Sequence, residues 1–287
     1  MDTANARITV LVENTAKQPK LLAEHGLAYW IEYGGHHFLF DTGQGYVLRH
    51  NAAELGIPLS LVEAVVLSHG HYDHTGGVGQ VLCGDHPITV YAHPAAFQPK
   101  FARHSGVRPI GIPPSATEAL RRPNIVVRPV TQPTMIVPGV MATGPIPRTS
   151  EMEKFNPRFF LDERCQTIDP LEDDQALFLT TSKGVVILLG CAHSGVINTV
   201  RYVEKLLPDQ PICALIGGMH LVEASEEQIQ WTIKELKDRE IPLIAPAHCT
   251  GIKATVALWQ AFADHCTEAC VGKQWQFDLA VRSEGNR

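Results

Sequence analysis

The chain has 287 residues, 45% hydrophobic and 19% charged, with a formal net charge of −6 at pH 7, the composition of an ordinary globular protein. It has no lysine and arginine stripe of the kind that binds nucleic acid; Arg121 and Arg122 beside Pro123 read as a solvated loop. No apolar run nears the ~20 residues that span a bilayer, the polar residues 1–7 hold no signal-like apolar core, and seven cysteines without CxxC pairs argue against a disulfide framework. The expectation is a cytoplasmic protein of one domain, residues 1–287, with neither nucleic acid nor membrane as partner and with its oligomeric state open.

Strands are predicted over 8–12, 27–33 and 37–40, the last two joined at Gly34-Gly35 as a hairpin. A helical pattern over 46–55 stops at Gly56 before Pro58, and buried strands follow at 65–68 and 88–91. Residues 94–147 are rich in proline and glycine with short apolar runs at 125–127 and 135–137; they read as an ordered insertion with strands that walls the active site. A second hairpin pairs 176–181 with 185–189 around Ser182-Lys183-Gly184. An amphipathic helix over 196–207, a strand at 214–216, a helix over 226–239 and a strand at 241–245 come next. Cys266 and Cys270, four apart, are expected on one face of a further helix, as packing. Strands followed by helices in both portions predict an α/β fold, an αββα sandwich with a metal cleft along one edge.

The segment Ser68-His69-Gly70-His71-Tyr72-Asp73-His74-Thr75-Gly76-Gly77 follows an apolar run and packs three imidazoles and a carboxylate into six residues. Imidazole nitrogen and carboxylate oxygen are ligands that borderline divalent cations prefer. A strand ending at His69 puts His69 and His71 on one side, and the turn through Tyr72 sends Asp73 and His74 elsewhere, so one segment can serve two metals. Apolar strands also stop at Gly190-Cys191-Ala192-His193-Ser194-Gly195 and Pro246-Ala247-His248-Cys249-Thr250-Gly251. Each places an imidazole at a strand's carboxyl end, where open α/β sheets keep their ligands.

These motifs resemble the metallo-β-lactamase fold superfamily: Asp41-Thr42-Gly43 matches its early strand-end aspartate, and His69, His71, Asp73 and His74 match its metal-binding signature. Thr143-Gly144-Pro145-Ile146-Pro147-Arg148, Asp173-Asp174-Gln175-Ala176-Leu177, the Cys191 and His248 motifs and Gly217-Gly218-Met219-His220-Leu221 carry a narrower resemblance. It is to the branch containing the dihydropterin ribofuranosylaminobenzene phosphate synthase of methanopterin biosynthesis and related metal-dependent hydrolases. The resemblance implies a metallo-β-lactamase-like αββα sandwich of two mixed sheets. It implies two divalent metal ions, zinc foremost, with manganese, iron and magnesium as alternatives. His69, His71 and a third histidine would hold one; Asp73, His74 and His248 the other. His193 is the preferred third histidine. Cys191 either ligates or bridges zinc or is a small buried core cysteine. His220 is a ligand, a proton donor or a core histidine, and is placed near the substrate, with Asp73 and His220 as catalytic residues. Asp41 is expected to orient the histidine loop, and Asp174 is a ligand, a support for the ligands or an exposed acid. His25, His36, His37, His50, His86, His93, His104 and His265 are expected to be exposed or locally hydrogen-bonded.

The expected function is a metal-dependent hydrolase, phosphodiesterase-like, in which metal-bound hydroxide attacks a phosphoester or similar bond of a small anionic substrate. Gly76 and Gly251 each open a helix after a ligand, so helix N-termini would favour anionic groups. Thr250, Gly251 and Arg148 are the expected substrate-binding residues, Arg148 having a solvent-facing loop position as its alternative. The alternatives are a synthase joining a pterin to an aminobenzene ribofuranosyl phosphate with loss of pyrophosphate, and a non-catalytic metal-binding sensor.

Overall fold

A computed structural model describes residues 5–82, 84–153 and 157–280, so residues 1–4 of the polar N-terminal stretch lie outside the described residues. In chain order the strands are Asn5–Val12 (β1), Ala28–Tyr33 (β2), His36–Phe40 (β3), Ala64–Val66 (β4), Ile88–Ala92 (β5), Phe101–Arg103 (β6), Val107–Pro109 (β7), Ile125–Pro129 (β8), Thr134–Val137 (β9), Val140–Ala142 (β10), Phe159–Phe160 (β11), Ala176–Thr181 (β12), Gly184–Leu189 (β13), Ile212–Gly218 (β14), Ile244–Ala247 (β15) and Gln274–Asp278 (β16). The helices are Leu48–Glu54 (α1), Tyr72–Thr75 (α2), Val78–Val81 (α3), Pro114–Ala119 (α4), Val196–Leu206 (α5), Glu226–Lys237 (α6) and Ile252–Phe262 (α7).

Two mixed sheets form, in the orders β16-β1-β2-β3-β4-β5-β8 and β15-β14-β13-β12-β10-β9. In the first, β3, β4, β5 and β8 run parallel; in the second, β13, β14 and β15 do. The Gly34-Gly35 hairpin pairs Tyr33 with His36, both glycines having positive φ as a two-residue turn of the right twist requires. Side chains alternate across the pleat. Tyr29, Ile31, Phe38 and Phe40 of the first sheet meet Leu177, Leu179, Val186 and Leu188 of the second in the core between the sheets. The intervening residues face outward: Ala28, Trp30 and Leu39 pack under Leu48, Val78 and Ala116 of α1, α3 and α4. Phe178, Val185 and Ile187 pack under Val196, Ile229 and Leu258 of α5, α6 and α7. Burial on both faces explains why the central strands read as unbroken apolar runs, and helix, sheet, sheet, helix is the expected layering.

Residues 94–147, expected as an insertion, are shared among three sheets. β8 closes the edge of the first main sheet and β9 with β10 the edge of the second, anchored by the buried Val140 and Ala142. β6 and β7 join β11 in a small antiparallel sheet. The helix expected around Cys266 and Cys270 does not extend that far. α7 stops at Phe262, Ala263 takes a positive φ, and Cys266 instead bridges Ile244 beside β15. Among the described residues no helix is long and apolar enough to cross a membrane.

Candidate metal centre

The chemistry-bearing side chains leave the carboxyl ends of parallel strands: Asp41 after β3, His69 and His71 after β4, Cys191 and His193 after β13, His220 after β14 and His248 after β15. Packing one sheet on the other brings these two sets of strand ends to a common edge. The local sequence shapes the loop between β4 and α2. A Cβ on Gly70 would lie 2.1 Å from the Ala96 carbonyl oxygen, so only glycine fits between His69 and His71. His71 stays extended and α2 begins at Tyr72, which turns Asp73 and His74 away from His71 as the spacing predicts.

Two groups of donors result. In the first, His69 Nε2 lies 2.9 Å from His71 Nδ1 and 3.3 Å from His193 Nε2, with the Cys191 sulfur within 4.8 Å of His69 and His193 donor atoms. In the second, His74 Nε2 lies 3.3 Å from His248 Nε2 and 3.2 Å from Cys191 Sγ. Asp73 Oδ2 there is 3.3 Å from His248 Nε2 and 3.1 Å from His25 Nε2. Cys191 belongs to both groups. Nitrogens converge on nitrogens across short gaps that hydrogen bonds cannot all satisfy, and the buried His71 Nε2 and His193 Nδ1 have no hydrogen-bond partner. Burial, the largest influence, holds the pKa of His69, His71 and His193 well below the usual histidine value, so these rings are neutral, the form that ligates. A buried set of neutral imidazoles, a thiol and a carboxylate fits divalent cations.

Buried carboxylates hold these side chains in place. Asp41 accepts the Ser68 amide and hydroxyl, each at 2.7 Å, and stands 2.6 Å from His74 Nδ1. Burial opposes protonation of His74, but Asp41 and then Asp73 overcome it and raise its pKa to about 9. Burial likewise disfavours the charged form of Asp73, yet His74 and His248 draw its pKa well below the carboxylate range. Asp174 is buried rather than solvated, accepting the amides of His193 at 3.0 Å and Ser194 at 2.8 Å. Its neighbour Asp173 accepts the Gly70 amide at 2.7 Å and pairs with the fully buried Lys100, which also reaches Asp169. Glu13 accepts the His248 amide, and Asn14 Oδ1 meets His248 Nδ1 at 2.8 Å.

A cleft of about 600 Å³ opens over the cluster, lined by His71, Asp73, His193, His220 and His248 with Tyr72 and Phe159 in its wall. His220 sits in left-handed backbone with its ring 4.2 Å from that of His193. Burial opposes its charge, but a hydrogen bond to Cys249 prevails and raises its pKa. The expected substrate-binding residues fall elsewhere. Arg148 donates to the carbonyls of His193 and Pro170, bracing the His193 loop. The Thr250 hydroxyl is buried between the Ala247 carbonyl and the Met219 amide. Gly251 does open α7, but the cleft is lined there by Val222, Glu223, His248 and Cys249 and by neither Thr250 nor Gly251. Gly76 follows the four-residue α2, where a Cβ would strike the Gln44 carbonyl at 2.4 Å, so close backbone approach accounts for the glycine.

Sequence reasoning missed His25, Cys249, Lys100 and Asp173. His25 is exposed, as expected, yet its Nε2 stands 3.1 Å from Asp73; a glycine follows it, and a Cβ on Gly26 would lie 2.5 Å from the Asp73 carbonyl, so that loop lies close against the site. Cys249 had a local signal, its position beside His248 at a strand end. Lys100 had none.

The chain belongs to the metallo-beta-lactamase superfamily, whose family model matches residues 22–151, and its sheets and candidate donor groups are those of a fold that usually binds divalent metals. It is 35% identical to an uncharacterised protein of Methanocaldococcus jannaschii, over 88% of this chain and 94% of that one. It is 29% identical to the 7,8-dihydropterin-6-methyl-4-(beta-D-ribofuranosyl)-aminobenzene-5'-phosphate synthase of the same organism, over 95% of this chain and 97% of the synthase. A solved metal-dependent hydrolase of the beta-lactamase superfamily matches with a TM-score of 0.80 at 28% identity, covering 95% of this chain and 99% of its own.

Proposed function

We propose that the chain is a hydrolase holding two divalent cations, zinc foremost, that cleaves a phosphoester or similar bond of a small anionic substrate. The observation that carries this reading is that two donor groups lie side by side, with Cys191 within reach of both as well as of His220 and Cys249, so that two cations could be held next to one another. His69, His71 and His193 would hold one cation and Asp73, His74 and His248 the other. Cations held there supply Lewis acidity, lowering the pKa of water and polarising the electrophile. The protein's own part is to orient and to move protons. Asp73 stays ionised and ties His25 and His248 to the second group. His220, facing the cleft with Nδ1 unpartnered, holds a proton for a leaving group. Phe159, 5.2 Å from the His71 ring, shields the cluster from water. A reducing cytoplasm suits the free thiols of Cys191 and Cys249.

A synthase joining a pterin to an aminobenzene ribofuranosyl phosphate is the second reading. It is favoured by the near full-length match to such an enzyme and by the aromatic wall of Tyr72 and Phe159, against which a flat ring could lie. Turnover of bis-p-nitrophenyl phosphate by the purified protein and by a His71→Ala, Asp73→Ala double variant separates the readings. Cleavage that disappears in the variant is expected. A metal-loaded protein without turnover moves the weight to the synthase, and turnover that survives in the variant contradicts both.

A further inference from the structure

The geometry points to a second anion subsite in the cleft, centred on Arg108, that takes a phosphate group of the substrate remote from the bond that reacts. The inference rests on the histidine cluster being the reacting centre. In the small sheet Phe159 lies opposite Ala102 and Ala102 opposite Arg108, so the three side chains share one face. That face looks onto the cluster, because the Phe159 ring is 5.2 Å from His71 and 5.3 Å from His193. Arg108 stands two strand spacings further on, about 10 Å from Phe159. Its guanidinium is hydrogen-bonded to Tyr72. The Tyr72 ring packs with Phe159, Ala102 and Ile110, and its amide donates to the Ile110 carbonyl at 2.9 Å.

The other cations of this wall are differently engaged. Arg103 also borders the cleft but lays its guanidinium 4.8 Å from the centre of the Phe160 ring, and Arg158 pairs with Glu223. Arg108 therefore offers its fork into the cleft, beside the hairpin tip at His104 and Ser105 that also lines it. A planar guanidinium next to a phenol is suited to a phosphate oxyanion. The substrate this describes carries a phosphate monoester remote from its reacting bond, and a flat or apolar portion between the two that covers Tyr72 and Phe159.

The test is calorimetric titration of the metal-loaded, full-length protein with biphenyl-4,4'-diphosphonate, a rigid probe that resists hydrolysis, and with biphenyl-4-phosphonate, which has one anionic end. The diphosphonate is expected to bind on the order of tenfold more tightly. That preference should vanish in Arg108→Ala, return in part in Arg108→Lys, and persist in Arg103→Ala. Equal affinity for the two probes in the unaltered protein, or a preference that Arg108→Ala leaves intact, overturns the subsite. Bis-p-nitrophenyl phosphate turnover of the unaltered protein is read on the same preparation. Its absence alongside an Arg108-dependent preference defeats the hydrolase reading and leaves the subsite standing.

Discussion

His74 is the residue on which protons and metal compete. Asp41 and Asp73 outweigh its burial and hold its pKa at about 9, so a cation entering beside His248 must displace a proton through neutral pH. Affinity for that ion should climb by up to about tenfold per pH unit until pH reaches about 9, then level. The imidazoles of His69, His71 and His193, already kept neutral by burial, should add almost no slope above neutrality, whereas the Cys191 thiol must give up a proton that burial holds on it before it can ligate. The same raised pKa stabilises the metal-stripped fold: the contribution is complete below pH 6.5, the unfolded value, and is lost as pH rises through about 9. Buffered-zinc titrations of stripped protein across this range should resolve a binding step whose slope depends on the His74 proton. Asp41→Asn should flatten the dependent step and weaken it 10- to 100-fold, roughly the effect of losing a group that orients a ligand. A slope that Asp41→Asn leaves unchanged would contradict the assignment. At this scale much was legible. His69, His71, Asp73 and His74 crowd into one short segment, and His193 and His248 stand at strand ends before glycine, so spacing alone marks them. Arg148 misled because an arginine after Pro147 carries no sign of whether its fork meets a ligand or, as here, the His193 carbonyl.

The element that holds the histidine loop from behind is the buried trio of Lys100, Asp169 and Asp173. Lys100 Nζ lies 2.7 Å from Asp169 and 3.0 Å from Asp173, and Asp173 in turn accepts the Gly70 amide between His69 and His71. Removing the cation leaves two carboxylates buried without a counter-charge, so Lys100→Met should lower stability by about 3–5 kcal/mol. Urea unfolding of the metal-loaded protein measures this, and a change below about 1 kcal/mol, the range of an exposed pair, would show that the trio does not anchor the loop. None of it was readable beforehand: Lys100 and Asp173 are 73 residues apart, and a lysine between proline and phenylalanine carries no pattern. Elements set by local chemistry were readable, as with the Gly34-Gly35 hairpin and the unbroken apolar β13. Cys266 and Cys270 failed because helical spacing of two residues says nothing of where the backbone turns, which it does at Ala263.

For the whole molecule, the sandwich brings together strand ends that the sequence keeps far apart. Alternation of Tyr29, Ile31, Phe38 and Phe40 against Leu177, Leu179, Val186 and Leu188 sets the face-to-face packing, and that packing carries His193 and His248 from the second sheet onto the histidine loop of the first. The layering was legible because both halves repeat strands followed by helices. The sharing of residues 94–147 among three sheets was not, because short edge strands among prolines and glycines look the same whether they close a sheet or form an insertion. The proposed function rests on a paired metal centre assembled across this seam, with Cys191 within reach of both halves. Metal content per chain, measured by elemental analysis after reconstitution with zinc and gel filtration, tests it in the unaltered protein and in His193→Ala. Near two ions in the first and near one in the second are expected, the survivor being held by Asp73, His74 and His248. A protein that retains no zinc, or one whose content His193→Ala leaves unchanged, would contradict it.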